Sequence, residues 1–368
     1  MSDPDRAAEV GAKLALLREY LVKHGAAAIR LRGSDWFAWI TAGGSNVVLH
    51  TTDTGVAEVL VTQEEAAILT DEIEAARLRE EEVPAGFSFH VSPWAQIELR
   101  ERYVLGLSGD GLVLSDRPHG DEQPLANGLR QRRLVLLESE QLRYRRLGRE
   151  TAEAMTETMR RARPEWTEYD LAAAGAAELW RRGIHPALVL AAGERRLPLY
   201  RHPTPSHERL GARAMLVFCA RRHGLYANLT RFVSFAGPAN GGPAPQDQAA
   251  LMEVEATGLA TVQPGKSLSA VYHAFAAAYN HADRQGAMLE HHQGGITGYL
   301  AREIVATAST ATELETGMAF AFNPSFAGLK MEDTFLLGPQ GLDNLTLDPQ
   351  WPAVTVQGRQ RPLWLEMN

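Results

Sequence analysis

Residues 7–24 (AAEVGAKLALLREYLVKH) carry apolar side chains at helical spacing and are closed by Gly25. The period then changes. Short runs rich in apolar and β-branched residues follow, AAAIRL, WFAWIT, NVVLHTT and AEVLVT, separated by Gly, Asp, Ser and Asn, and these read as strands and turns. The stretch QEEAAILTDEIEAARLREEE returns to a helical pattern and ends near Pro84. A chain that switches between the two periods in this way folds as an α/β domain. A second unit of that type is expected to close around Leu134–Leu137 (LVLL).

From residue 138 the pattern becomes one long helix, ESEQLRYRRLGRETAEAMTETMRRAR, stopped by Pro164. Trp166 precedes Thr167-Glu168-Tyr169-Asp170, a helix start with an acidic residue placed to reach back to the cap. That helix runs to about Arg182 and stops at Gly183. Beyond it the strand-like segments HPALVLAAG, AMLVFCARRHGLYANLTRFVSF, MAFAFNPS and EDTFLLG alternate with two more helical stretches. The chain has 368 residues, too many for one ordinary core. An α/β domain over 1–137 followed by a mixed α+β domain over 138–368 is the resulting expectation.

The formal net charge of -8 gives no electrostatic footprint for nucleic acid or an anionic membrane. No apolar run approaches the ~20 residues of a membrane span. Cys219 is the one cysteine, so no internal disulfide forms and a reducing compartment fits. The opening MSDPDRAAEV lacks the apolar stretch of a signal peptide, and a soluble cytoplasmic protein is expected. Two apparent motifs fall away. Pro264-Gly265-Lys266-Ser267 lacks the glycine of a phosphate loop, since that position is Ala260, and reads as a turn before a helix. Cys219 sits in an apolar run without an acidic neighbour and reads as a buried structural thiol.

Four segments of the second domain carry the chemistry: RHPTPS (201–206), HGLYANLTRFVSFAG (223–237), HHQGGITGYLARE (291–303) and NPSFAGLKMEDTFLL (323–337). In this order they resemble the creatinase, prolidase and aminopeptidase P family, whose second domain has the pita-bread fold. That family has a histidine before a strand pair, then Gly-Tyr-x-x-Asp-x-Thr-Arg, a histidine-rich glycine stretch, Glu-Pro-Gly and Arg-x-Glu-Asp. The resemblance covers nearly the whole chain, and the first domain is similar to the family's N-terminal domain. It implies five metal-ligand positions, which read here Val217, Asn228, Gly295, Asn323 and Glu332. His291 matches a family histidine four residues before the ligand position, and Arg302-Glu303 stands where prolyl-specific peptidases often have His-Glu. Two divalent ions bring four positive charges. One surviving carboxylate cannot offset them, Val and Gly offer no side-chain donor, and neutral amides replace carboxylates poorly. The expectation is a lost metal site, with no metal ion and no cofactor.

His202 matches the family histidine that contacts substrate, and in creatinase, which also lacks the metal, that residue does the acid–base work. The resemblance therefore implies His202 and Glu332 as catalytic groups. Arg231, Arg302 and Lys330 would face the former metal site or its edge, with His291, His292, Gln293 and Tyr299 in the adjoining polar and glycine-rich run. A Lys330–Glu332 ion pair across the pocket is expected as well. A metal-independent hydrolase of a small C–N-bonded substrate is the first reading. A non-catalytic member that binds a small molecule or short peptide is the second, and an active Xaa-Pro metallopeptidase ranks last. The cationic side chains point to an anionic ligand. The family further implies a homodimer.

Overall fold

The computed structural model describes residues 3–236 and 243–367, so Gly237, the last residue of the second motif segment, lies outside the described residues. The chain divides into two compact units, Met1–Arg133 and Leu134–Asn368. The division falls slightly before the boundary expected at 137/138.

The first unit opens with α1 (Asp3–His24), which Gly25 closes at φ +59°. Strands β1 (Ala28–Gly33), β2 (Thr54–Val61), β3 (Ala66–Asp71), β4 (Ser88–Ser92), β5 (Val113–Ser115) and β6 (Gln123–Pro124) form one sheet in the order β4-β3-β2-β1-β5-β6. The pairs β1/β2 and β2/β3 are antiparallel, and the others parallel. The helices α2 (Ser34–Ile40), α3 (Ala75–Arg77), α4 (Glu98–Ser108) and α5 (Asn127–Leu134) complete the unit.

Three expectations fail here. Trp36–Thr41 is not a strand but falls largely in α2, with Trp36 to Ile40 all buried. A continuous apolar run has no period to tell a buried helix from a buried strand. Val48 and Leu49 of the NVVLHTT run are exposed in a turn region. The stretch after Gln63 is not one helix: Ala66–Asp71 pairs as β3, its first five residues buried, and only afterwards does the chain wind into α3 and a π-helical turn at Leu78–Glu82. Leu134 ends α5, and the Leu136 N–H bonds the Gly317 carbonyl at 3.0 Å.

The second unit follows its sequence pattern closely. Helix α6 spans Glu138–Arg161 and α7 spans Glu168–Arg181. At the start of α7 the Thr167 hydroxyl accepts from the Asp170 N–H at 3.1 Å, and the Asp170 carboxylate accepts from the Thr167 N–H at 2.8 Å. Strands β7 (His185–Gly193), β8 (Arg213–Arg222) and β9 (Leu225–Ser234) follow, then α8 (Pro245–Ala260), α9 (Leu268–His281) and the short α10 (Gln285–Leu289). Ser267 caps α9, its hydroxyl accepting from the Ala270 N–H, so the Pro264–Ser267 segment is a turn into a helix.

The remaining strands are β10 (Gly294–Thr297), β11 (Ile304–Val305), β12 (Ala319–Phe322), β13 (Ser325–Phe326), β14 (Leu329–Lys330), β15 (Asp333–Gly338), β16 (Gly341–Asn344), β17 (Ala353–Val356), β18 (Arg359–Pro362) and β19 (Leu365–Glu366). They build a five-stranded antiparallel sheet β11-β10-β12-β15-β16 beside a four-stranded sheet β19-β9-β8-β7. The core of the unit includes Leu190, Val217, Phe275, Ile296, Phe320, Phe322 and Phe335. The two sheets meet along β9 and β15, where the Thr230 N–H donates to the Glu332 carbonyl at 3.1 Å and the Asn228 N–H to the Thr334 hydroxyl at 2.7 Å.

Candidate functional site

The seam between the sheets is set by the β8–β9 hairpin. His223 and Gly224 both have positive φ, +53° and +77°, the two-residue turn that matches the natural strand twist. It fixes the register Val217↔Thr230 and Cys219↔Asn228. Directly paired residues share a face, so Val217, Cys219, Asn228 and Thr230 point to one side of the sheet. Cys219 is buried there, which pushes its thiol up to about 12 and leaves it inert at neutral pH.

Glu332 is the only carboxylate at the five positions that the resemblance assigns to metal ligands, and both its oxygens are engaged. Oε1 accepts from Arg302 at 2.9 Å, and Oε2 from Lys330 at 2.8 Å and from the Thr230 hydroxyl at 2.7 Å. Burial alone would raise its pKa, but Lys330 and Arg302 hold it at about 2. The expected Lys330–Glu332 pair is present, and Thr230 is a partner that the sequence reading did not single out, although its motif contains it. Asn228 is buried and its amide lies 3.4 Å from the Thr297 hydroxyl. The Asn323 side-chain amide lies 3.3 Å from His291 Nδ1.

Gly294 and Gly295 start β10 with no room for a side chain. A Cβ on Gly294, where φ is +90°, would lie 2.1 Å from the Ala321 carbonyl oxygen. One on Gly295 would lie 2.1 Å from the Ile304 carbonyl oxygen and 3.0 Å from the Ala306 nitrogen. A histidine at position 295 is therefore incompatible with this backbone.

Beside this group stand three histidines. His202 Nε2 and His291 Nε2 are 2.9 Å apart, and His291 Nδ1 lies 2.6 Å from the His292 carbonyl. A carbonyl only accepts, so the His291 proton is on Nδ1. His291 Nε2 is then an acceptor, and the shared proton belongs to His202 Nε2. His202 Nδ1 is left as a free base. His292 Nδ1 accepts from the Gly294 N–H at 3.2 Å. Burial takes the pKa of His291 to about 3, with Lys330 reinforcing it, while partial burial, with Lys330 beside His202 and Arg302 beside His292, lowers those of the other two. All three rings are neutral at pH 7. A crevice of about 10 Å³, room for one water, is bordered by Arg201, His291, Ser325 and Lys330.

His202, His291, His292, Arg302, Lys330 and Glu332 are thus brought together. Arg231 is not. Strand alternation turns it to the opposite face from Thr230, where its guanidinium donates to Asp333 at 2.7 Å and to the Thr346 and Thr230 carbonyls, each at 2.8 Å. Asp333 also pairs with Arg361 at 2.9 Å, and Arg361 with Glu255 at 2.5 Å, a buried ionic group with two charges of each sign. Tyr299 likewise serves the framework: its hydroxyl donates to Glu140 at 2.5 Å. Gln293 is buried and donates to the His291 carbonyl at 2.8 Å, supporting the histidine turn.

The sequence pattern of metallopeptidase family M24 matches residues 143–339, just over half of the chain. The chain belongs to that family. Among solved structures it is similar to an Xaa-Pro dipeptidase from Bacillus anthracis (TM-score 0.77, 16% identity, 97% of this chain and 100% of that one). It is also similar to the dipeptidase PepE from Mycobacterium ulcerans (TM-score 0.76, 18% identity, 98% and 99%). A third is the N-terminal domain of FACT complex subunit SPT16 from Cicer arietinum, chickpea (TM-score 0.68, 14% identity, 92% and 95%). At these identities the likeness is one of fold, and it agrees with the pita-bread architecture expected from the four motifs. No curated protein sequence matches the chain. Among the described residues no helix is long and apolar enough to cross a membrane.

Proposed function

We propose that this M24 member works without the family's two-metal centre and hydrolyses a C–N bond in a small anionic substrate, with His202 as the base. The donor set argues against the centre. Val217 and Gly295 carry no donor atom, Asn228 and Asn323 are neutral, and Glu332 is already bonded to two cations. An incoming ion would have to displace Lys330 and Arg302 from the one carboxylate present.

The observation that carries the reading is the 2.9 Å contact between His202 and His291. With the proton on Nε2 it leaves His202 Nδ1 as a lone pair, and His291 Nε2 stabilises the Nε2–H when the ring is protonated. His202 Nδ1 takes a proton from water as that water attacks the carbon of the C–N bond. The same proton then passes to the departing nitrogen, and the bond breaks. Glu332 enters as a positioning residue, since both its oxygens hold cations. Lys330 and Arg302, two cations on one carboxylate, leave a positive charge for a substrate carboxylate.

A thermal-shift screen of small carboxylates, N-acyl and guanidino acids and short peptides tests the reading. A true ligand raises stability by ~2.7 kcal/mol at a hundred times its Kd. In the hydrolase, His202→Ala keeps the shift and cuts turnover by ~10²–10⁴-fold. Equal turnover in His202→Ala overturns the base assignment. A second reading, a binding member without turnover, draws on the closed Lys330–Glu332–Arg302 group, which leaves no free carboxylate. It also draws on the chickpea domain, which places a subunit of a complex on this fold. It takes precedence if the unmutated chain converts none of its ligands.

A further inference from the structure

We infer that His202, His291 and His292 form a mononuclear site for one divalent cation of the nitrogen-preferring kind, such as zinc or cobalt, next to the family's metal positions and separate from them. One ring nitrogen of each lies within 4.8 Å of those of the other two. None of the three occupies a position that the resemblance assigns to a metal ligand. His291 is buried at the base of the cluster while His202 and His292 are exposed, so an ion reaches the site without any opening of the fold.

The donors are prepared to different degrees. His291 Nδ1–H is anchored on the His292 carbonyl at 2.6 Å, the backing that metal-bound imidazoles usually have, and its Nε2 lone pair faces His202. His202 presents Nε2 once its proton moves to Nδ1, so the ion takes the place of the shared proton. The two nitrogens, now 2.9 Å apart, need to separate only to roughly 3.3 Å for tetrahedral zinc. His292 joins through Nδ1 by giving up the 3.2 Å bond from Gly294, the weakest of these contacts.

Three neutral imidazoles without a carboxylate select zinc, cobalt, nickel or copper over magnesium, calcium or manganese. Lys330 and Arg302 lower the affinity by repulsion, offset in part by Glu332, and they favour an anion as the fourth ligand. An ion at this site occupies the ring that serves as the base. On the reading above, and resting on it, zinc is therefore an inhibitor of turnover. The binding itself is independent of that reading.

The test is calorimetry of the untagged full chain, stripped with chelator and titrated with zinc and with cobalt, together with the visible spectrum of the cobalt form. One ion per chain is expected, with cobalt showing the intense bands of a four-coordinate nitrogen site. His202→Ala and His292→Ala, both at exposed positions, should each weaken binding at least tenfold, and Asn228→Ala should change it less than twofold. The absence of a one-to-one isotherm overturns the site, as does unchanged binding in either histidine variant. Manganese binding that Asn228→Ala removes would place the ion at the family's position and overturn it equally. No turnover enters this readout, so its failure and the failure of the hydrolase reading are told apart.

Discussion

Replacing Glu332 with Gln keeps the shape of the side chain and removes its charge, leaving Lys330 and Arg302 side by side without their anion. A carboxyl held at about 2 in the folded chain, against an ordinary value of 4.5, contributes about 3 kcal/mol at neutral pH. That matches the cost of breaking a buried ion pair by removing one partner, about 3–5 kcal/mol. The folded pKa is depressed, so the contribution is complete above about pH 4.5 and is lost as the pH falls through about 2. Roughly half remains at about pH 3.3. Urea unfolding of parent and Glu332→Gln, comparing the transition of the second unit at pH 7 and near pH 3.3, reads this directly. The expected gap is about 3 kcal/mol at the higher pH and about half that at the lower. A gap below about 1 kcal/mol at pH 7, or one that stays constant on acidification, would show that the carboxylate does not hold the two cations.

Gly295→Ala should destabilise the fold by about 2 kcal/mol or more in a thermal melt, because its Cβ meets the Ile304 carbonyl at 2.1 Å. A melt equal to the parent would mean that β10 and β11 separate easily. Arg231→Met should cost about 3 kcal/mol or more through the loss of the Asp333 pair, yet leave the stabilising shift from any anionic ligand unchanged. A ligand shift that vanishes in this variant would return Arg231 to the pocket. Dialysis against manganese followed by elemental analysis should leave no stoichiometric manganese on the chain. Retained manganese that Glu332→Gln releases would show that the carboxylate can exchange its cations for a metal.

The second unit was legible because its signals are local and strong. The Thr167–Asp170 capping box, the β7 segment HPALVLAAG and the β8–β9 hairpin lie where their residues announce them. The first unit was less so, since WFAWIT and AAILTD are apolar throughout and decide between helix and strand only by what packs against them. At the site, Glu332 pairs with Arg302 and Lys330, and these charges act on His202. Arg231 was misplaced by one residue's parity: its motif neighbour Thr230 faces the site, and a strand sends the next side chain the other way. The histidine cluster was hidden for another reason. His202 and His291 are 89 positions apart, and nothing in either segment specifies that their Nε2 atoms meet. The expectation of no metal was drawn from the family's ligand positions alone.

Arg361 completes the buried charge group formed with Glu255, Asp333 and Arg231. Glu255 and Asp333 therefore precede in the chain the second of their two counter-charges, Arg361. Until residue 361 has emerged from the ribosome, closing the second unit would bury two carboxylates against the single guanidinium of Arg231. A lone buried charge costs several kcal/mol, a large part of a domain's whole stability. An Arg361→Met chain should then remain open to protease across α8 and β15, while the parent closes. The second unit's buried charge group is thus complete only when Arg361 is in place.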